Sequence, residues 1–239
     1  MNSNFFSFLF LINTLLLFPQ ATHAQFGKFE MGFSAGFAHN KLHTTAIRDL
    51  STYDAKIGFG VSVHTQYFVK NWLAVELDLS CIQKNYAWKH ATFANQTTKN
   101  TYIQLPAMLR FSLGKKQFKL FANAGGFGGC LVNRRVSGAV FNVFNMETPY
   151  SYDEKSELDK RRDRRIELGL VVGLGLEYFL NNQYRLFVEA RYLYGATDLQ
   201  KKNYMLNQIP RYNDTFLFQA GCLFNLSNIK NKKIKNNEK

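Results

Sequence analysis

The sequence predicts an all-β fold: an eight-stranded antiparallel transmembrane β-barrel of the outer-membrane type, with short periplasmic turns and long extracellular loops. Three observations predict it. From Lys28 onward, apolar and polar residues alternate with a period of two over eight long segments. The connections between those segments are tight and long by turns. Beyond Phe18 no apolar run reaches the roughly 20 residues that a membrane-crossing helix needs, and the mean hydropathy is only -0.24. A barrel escapes hydropathy because only alternate residues meet lipid.

The chain of 239 residues suits one barrel rather than two domains. Its 23 Phe and 12 Tyr suit either a soluble sheet or a barrel with aromatic girdles. The net charge of +13 fits nucleic acid or an anionic membrane surface. No recognition helix, zinc-finger spacing or RNA-binding signature is present. The expected partners are therefore outer-membrane lipid and lipopolysaccharide, and not nucleic acid. Cys81, Cys130 and Cys222 form an odd, widely spaced set rather than a disulfide framework. They are expected to act as small buried apolar side chains.

The N-terminus opens with FFSFLFLINTLLLF over residues 5–18, followed by Pro19 and then Ala21-Thr22-His23-Ala24. Thr22 and Ala24 occupy the small-residue positions of a cleavage site, so residues 1–24 are read as a cleaved signal peptide. The stretch is short for a retained anchor helix, although no Lys or Arg precedes it. Residues 25–227 are assigned to the barrel and 228–239, with five Lys, to a basic solvated tail.

The strands follow in order. Residues 28–39 set Phe29, Met31, Phe33 and Phe37 against Glu30, Ser34 and glycines; residues 55–69 set Ile57, Phe59, Val61 and Val63 against Lys56, His64 and Gln66. Residues 72–84 alternate Val75, Leu77 and Leu79 with Glu76, Asp78 and Ser80, and residues 101–113 alternate Ile103, Leu109 and Phe111 with Gln104 and Arg110. Residues 118–132 are ambiguous in facing, and Gly125, Gly126, Gly128 and Gly129 suggest a bulge or bend there. The alternation is clearest over 165–180, from Ile166 to Tyr178 against Glu167 and Glu177. Residues 184–197 alternate Leu186 and Val188 with Arg185, Glu189 and Arg191, and 215–226 complete the set with Phe216, Phe218 and Phe224. The tight connections are 70–71, 114–117 and 181–183; the long ones are 40–54, 85–100, 133–164 and 198–214. Such sorting belongs to a barrel with one end in the periplasm.

In lipid the apolar face points outward, so the polar face lines the interior. Glu76, Asp78, Arg110, Glu167, Glu177, Arg185, Glu189 and Arg191 are expected to form a lumenal polar network, with Asp78 near Arg110 and Glu177 near Arg185. An eight-stranded interior is about filled by side chains. A paired polar filling is therefore preferred to a proton or ion path.

Several stretches resemble one family, the small outer-membrane barrel proteins of Bacteroidetes described as PorT-like. They are Tyr102-Ile103-Gln104-Leu105-Pro106, the Gly-rich run from Phe121 to Gly126, the segment from Gly169 to Tyr178, and Arg191-Tyr192-Leu193-Tyr194-Gly195. The resemblance runs through most of residues 26–227. It implies insertion by the outer-membrane assembly machinery, and the member that names the family takes part in type IX protein secretion. Outer-membrane strands commonly finish on a C-terminal aromatic, whereas Phe224 here is followed by a tail.

No catalytic residues, metal ligands or cofactors are assigned. His39, His43 and His90, with Asp49 and Asp54 in the first loop, are the rim groups that a hydrolase or a metal would use, yet no Ser/His/Asp spacing or HExxH motif accompanies them. In the third long loop, DEKSELDKRRDRR over 153–165, Arg161, Arg162, Arg164 and Arg165 are candidate grips for lipopolysaccharide phosphate. A salt-bridged loop is the plainer alternative. The expected function is a structural or assembly role without enzymatic activity. Alternatives are a component of secretion or small-solute transport that works with other envelope proteins, and a rim-sited hydrolase.

Overall fold

The computed structural model describes residues 28–44, 51–90, 94–115, 117–140, 150–159, 161–181, 183–201 and 210–226. The expected leader (1–24), the basic tail (228–239) and Asp49 lie outside them. The nine strands are β1 (Lys28–Thr44), β2 (Ser51–Lys70), β3 (Leu73–His90), β4 (Ala94–Lys115), β5 (Phe118–Val140), β6 (Tyr150–Lys155), β7 (Ile166–Phe179), β8 (Tyr184–Gly195) and β9 (Arg211–Asn225). Their order is β4-β3-β2-β1-β9-β8-β7-β5, and β4 also pairs with β5. Every pairing is antiparallel. The ring closes on eight strands, and its backbone groups are satisfied without an edge, as lipid demands. The ninth strand, β6, pairs only with β5, beyond the level at which β7 begins.

The barrel strands run from 12 to 23 residues, whereas about 9–11 suffice to cross a bilayer. Much of what alternation reads as extracellular loop is therefore strand. β1 continues to Thr44, β3 to His90 and β4 begins at Ala94. The cause is physical: above the membrane the outer face meets water, so Thr, Asn and Lys replace apolar residues. The period-2 signal fades while the neighbouring strands still supply hydrogen bonds.

Facing follows the expected alternation in β7, where Ile166, Leu168, Leu170, Val172, Leu174 and Leu176 are exposed on the lipid side. At the turn end, aromatic pairs ring the wall: Trp72 with Phe111 at 6.1 Å, Phe118 with Tyr178 at 4.9 Å, Tyr184 with Phe224 at 5.5 Å. Phe37 with Phe59 and Tyr192 with Phe216 stand higher. Such girdles suit the two membrane interfaces. Gly114 closes the β4–β5 turn at φ 141°, a conformation that glycine adopts freely.

Three expectations are corrected. The glycine run of β5 is not a bulge: its pairing with β4 and β7 is regular, and the register shift falls at Thr101/Tyr102. Lys56 is exposed rather than lumenal, because the β2–β3 register slips between Ala55 and Gly60 and re-aims the side chain. The cysteines are free, and Cys81 and Cys130 are exposed on the outer wall. Apolar character there serves lipid contact.

Several inward glycines answer aromatic side chains directly across the ladder. Phe121 faces Gly175, Phe127 faces Gly169 and Phe187 faces Gly221. A Cβ on Gly169 would lie 2.6 Å from the Phe127 ring, and one on Gly221 2.7 Å from Phe187. Each ring lies over the space its glycine leaves. This lets large side chains fill a narrow barrel, and it explains why glycine is so frequent on the inner face.

Candidate functional site

The interior is the candidate site, and it is stratified. Each strand contributes alternate residues to it, so residues two apart occupy successive levels. Near the turn end, Arg185 donates to Glu177 at 2.7 Å and also pairs with Glu30. Arg110 donates to Glu76 at 3.0 Å and to Glu177, while its guanidinium lies over the Phe121 ring. One level higher, Arg191 donates to Glu189 at 2.6 Å, Asp78 at 2.5 Å and Glu76 at 2.7 Å. All of these groups are buried.

Above them lies an apolar septum of Ala38, Ile82, Met108, Phe127, Val171, Leu193 and Leu217. Over the septum a second polar level begins. Lys84 donates to both oxygens of Glu167, at 3.0 and 2.9 Å, and Gln104 and Asn213 donate to the same carboxylate. A second apolar level, Leu42, Tyr102, Leu131 and Leu199 with Tyr53, Tyr86 and Leu158 against it, covers the mouth.

The eight expected lumenal residues are thus all inside, but not as one set. Glu76, Asp78, Arg110, Glu177, Arg185, Glu189 and Arg191 share the lower network, while Glu167 sits above the septum. Glu177 meets Arg185. Asp78 does not meet Arg110, because β3 pairs with β4 so that Ala74 lies opposite Arg110. Its guanidinium partner, Arg191, comes from β8, 113 positions along the chain.

The lower level holds a group of three that sequence spacing misses. Ser34 Oγ lies 2.8 Å from His64 Nε2, and His64 Nδ1 lies 2.9 Å from Asp78 and 3.5 Å from Glu76. This has the outline of a Ser–His–Asp triad on β1, β2 and β3, and His64, Glu76 and Asp78 also have the outline of a metal site. The hydrogen bonds set the group up for neither. Gln219 donates its amide to Glu189 at 2.8 Å, which turns its carbonyl toward Ser34. Ser34 spends its proton on that carbonyl at 2.9 Å, so it must accept from His64 Nε2. With Nδ1 donating to carboxylates, both ring nitrogens carry protons. Held in this way, the ring takes no proton from Ser34 and presents no lone pair to a metal. Adding hairpin registers would have found the group, since His64 lies directly opposite Asp78 and Gly32.

At the rim, His39 and His43 are exposed on β1 and Asp54 lies in β2 rather than in a loop, where it pairs with Lys89 at 2.6 Å. His90 ends β3. Of the four loop arginines, Arg162 contacts Asp163 at 3.1 Å and Arg165 donates to the Leu158 carbonyl at 3.1 Å. Arg161 is exposed, and the Arg164 backbone donates to Leu199. Residues 156–159, 161–165 and 196–201 pack together over the mouth through an Asp163–Gln200 bridge.

Burial opposes ionisation of Asp163, but the Arg162 and Arg134 guanidiniums outweigh it and hold the carboxyl below its usual range. That contribution is present above the unfolded value, about 3.9, and is lost as pH falls through the folded one. Amide protection of residues 156–165, corrected for intrinsic exchange, should therefore drop below about pH 4. Asp163→Asn should flatten that dependence, and an unchanged profile in the variant would assign the drop to other groups.

The chain is similar to Neisserial surface protein A, with 17% identity, 83% of this chain and 97% of that chain covered and a TM-score of 0.46. It is similar to OprG of Pseudomonas aeruginosa at 12% identity, covering 83% and 96%, with a TM-score of 0.47. The outer membrane protease OmpT of Escherichia coli is similar at 10% identity, covering 87% and 99%, with a TM-score of 0.41. No curated protein matches the sequence. The family model described as outer membrane protein beta-barrel domain matches residues 18–201. With its closed, lipid-facing ring, the chain belongs to that family of outer-membrane barrels.

Proposed function

We propose that this protein is a non-conducting, non-enzymatic barrel with a structural or assembly role at the outer membrane, to which a cleaved leader delivers it. It acts through its outer wall and external rim, in contact with lipid and lipopolysaccharide. The observation that carries this reading is the filled interior: two polar levels separated by an apolar septum and covered by a second apolar level. Ions need continuous polar lining, and dehydrating one across a dry layer is costly. The hydroxyl–imidazole–carboxylate group lies beneath the septum with its protons already committed, which supports a non-enzymatic role.

The test is conductance in a planar bilayer. The refolded protein should add no discrete steps at moderate voltage. Sustained steps of uniform size would sink the reading and favour small-solute transport.

The external extension favours a second reading. Strands that rise well past the membrane give envelope proteins a rigid surface to dock on, in keeping with the resemblance to PorT-like barrels and a secretion role. Deletion of the gene with loss of exported proteins from the medium would select that reading; an unchanged exported set would remove it.

A further inference from the structure

On the outer wall, Lys99 of β4 lies directly opposite Arg135 of β5, and Arg135 lies directly opposite Lys155 of β6. All three are exposed. Like charges facing each other across a ladder are destabilising, so such a row is retained where an anion sits against it. Among the described residues one carboxylate answers it: Asp153 accepts from Arg135 at 2.7 and 2.9 Å. Neither Lys99 nor Lys155 has a carboxylate within ion-pair distance among those residues.

The row stands at a definite height. On β4 the last exposed apolar residue below it is Ile103, four positions from Lys99. That is about 13 Å along the strand, or roughly 9 Å along the membrane normal at a tilt of about 45°. The cations therefore meet the headgroup layer of the outer leaflet. Beneath them the wall is grooved. The outward side of β5 carries Ala122, Ala124, Gly126 and Gly128, between Leu168, Leu170, Val172 and Leu174 of β7 and the larger Leu105, Leu109 and Phe111 of β4. These glycines differ from those of the interior. A Cβ on Gly126 or Gly128 would meet nothing nearer than 3.5 or 3.6 Å, so packing within the chain does not require them. The space is open to lipid.

We infer that Lys99, Arg135 and Lys155 form a phosphate seat for a phosphorylated glycolipid of the outer leaflet, with an acyl chain lying along the Ala/Gly channel of β5. The inference rests on the lipid partnership proposed above and moves its anchor from the arginines at 161–165 to the sheet formed by β4, β5 and β6. Two of those arginines are spent on the mouth cover. The row instead presents three cations on rigid strands, spaced by the sheet at about 4.8 Å, which suits the several oxygens of a phosphate.

The test is native mass spectrometry of the full-length protein in detergent, with bisphosphorylated lipid A and phosphatidylglycerol as probes. Lipid A should bind at least about tenfold more tightly than phosphatidylglycerol, and the K99Q/R135Q/K155Q variant should lose at least about tenfold for lipid A. D153N frees Arg135 and should bind more tightly than the parent. G126L/G128L should weaken lipid A binding while keeping a normal heat shift on gels. Equal binding by the parent and the triple variant would overturn the seat while leaving the lipid partnership intact. Absence of lipid A binding by the parent would overturn both. If the triple variant does not fold, D153N decides: a gain supports the seat, and no gain overturns it.

Discussion

Arg191→Met should cost the barrel about 3–5 kcal/mol, the price of leaving a buried ion pair half made. Arg191 touches Glu76, Asp78 and Glu189 at once, so its loss leaves three carboxylates in a closed interior. Arg110 still reaches Glu76, and His64 still reaches Asp78, but Glu189 retains only the amides of Asn123 and Gln219. The check is a urea midpoint in lipid vesicles, with the heat shift on gels as the sign of a closed barrel. Adding Glu189→Gln to the variant should restore part of the loss, since a neutral amide needs no counter-charge, while Glu76 and Asp78 keep Arg110 and His64 as partners. An unchanged midpoint in the single variant would mean that water reaches this level.

Gly175→Val should be as damaging, through shape instead of charge. The added Cβ would overlap the Phe121 ring and lie 2.5 Å from the Val188 carbonyl oxygen. The carbonyl belongs to the ladder and cannot retreat. The ring cannot leave without uncovering Arg110, which lies against it. Overpacking commonly costs about 1–3 kcal/mol; a backbone clash beside a buried guanidinium should exceed this and prevent closure. Gly126→Val is the control, because its Cβ would make only an ordinary contact, with the Gly169 carbonyl at 3.5 Å, and its midpoint should stay within about 0.5 kcal/mol of the parent. Equal damage from both variants would show that the cost does not come from the Phe121 contact, because valine is the better strand former at either position.

The count of barrel strands, the facing of β7 and the turn positions were legible because lipid on one side and a narrow interior on the other force alternation; β6, which lies beyond the barrel wall and pairs only with β5, was read as loop. Membership of the lumenal set was legible for the same reason. Partners were less so. Glu177 and Arg185 lie across a tight turn, where counting works, whereas Asp78 and Arg191 meet through the closed ring and no local count reaches them. The ends of the strands were not legible. Asn95 to Lys99 read as loop because they lack the apolar beat, yet β3 and β5 hold them as strand. The arginine cluster of 161–165 drew attention by density, but its placement depends on Leu158 and Leu199 entering the mouth. The row of Lys99, Arg135 and Lys155 is invisible in sequence, where 56 positions separate its first and last members.

The stratified interior also dictates how the chain must assemble. Glu30, Glu76 and Asp78 belong to the first three strands, while Arg185 and Arg191 arrive only with β8. A sheet paused halfway would hold anionic side chains against lipid with two of their guanidiniums still unthreaded. Hydrogen bonds such as Ser34 to Gln219 and Thr215 to Asn40 span the seam between β1 and β9, so the last pairing completes charge and polar satisfaction together. Such a barrel has few tolerable partial forms. Its insertion should be cooperative and slow, governed by contacts distant in sequence, and dependent on a surface that shields the open sheet until the first and last strands meet.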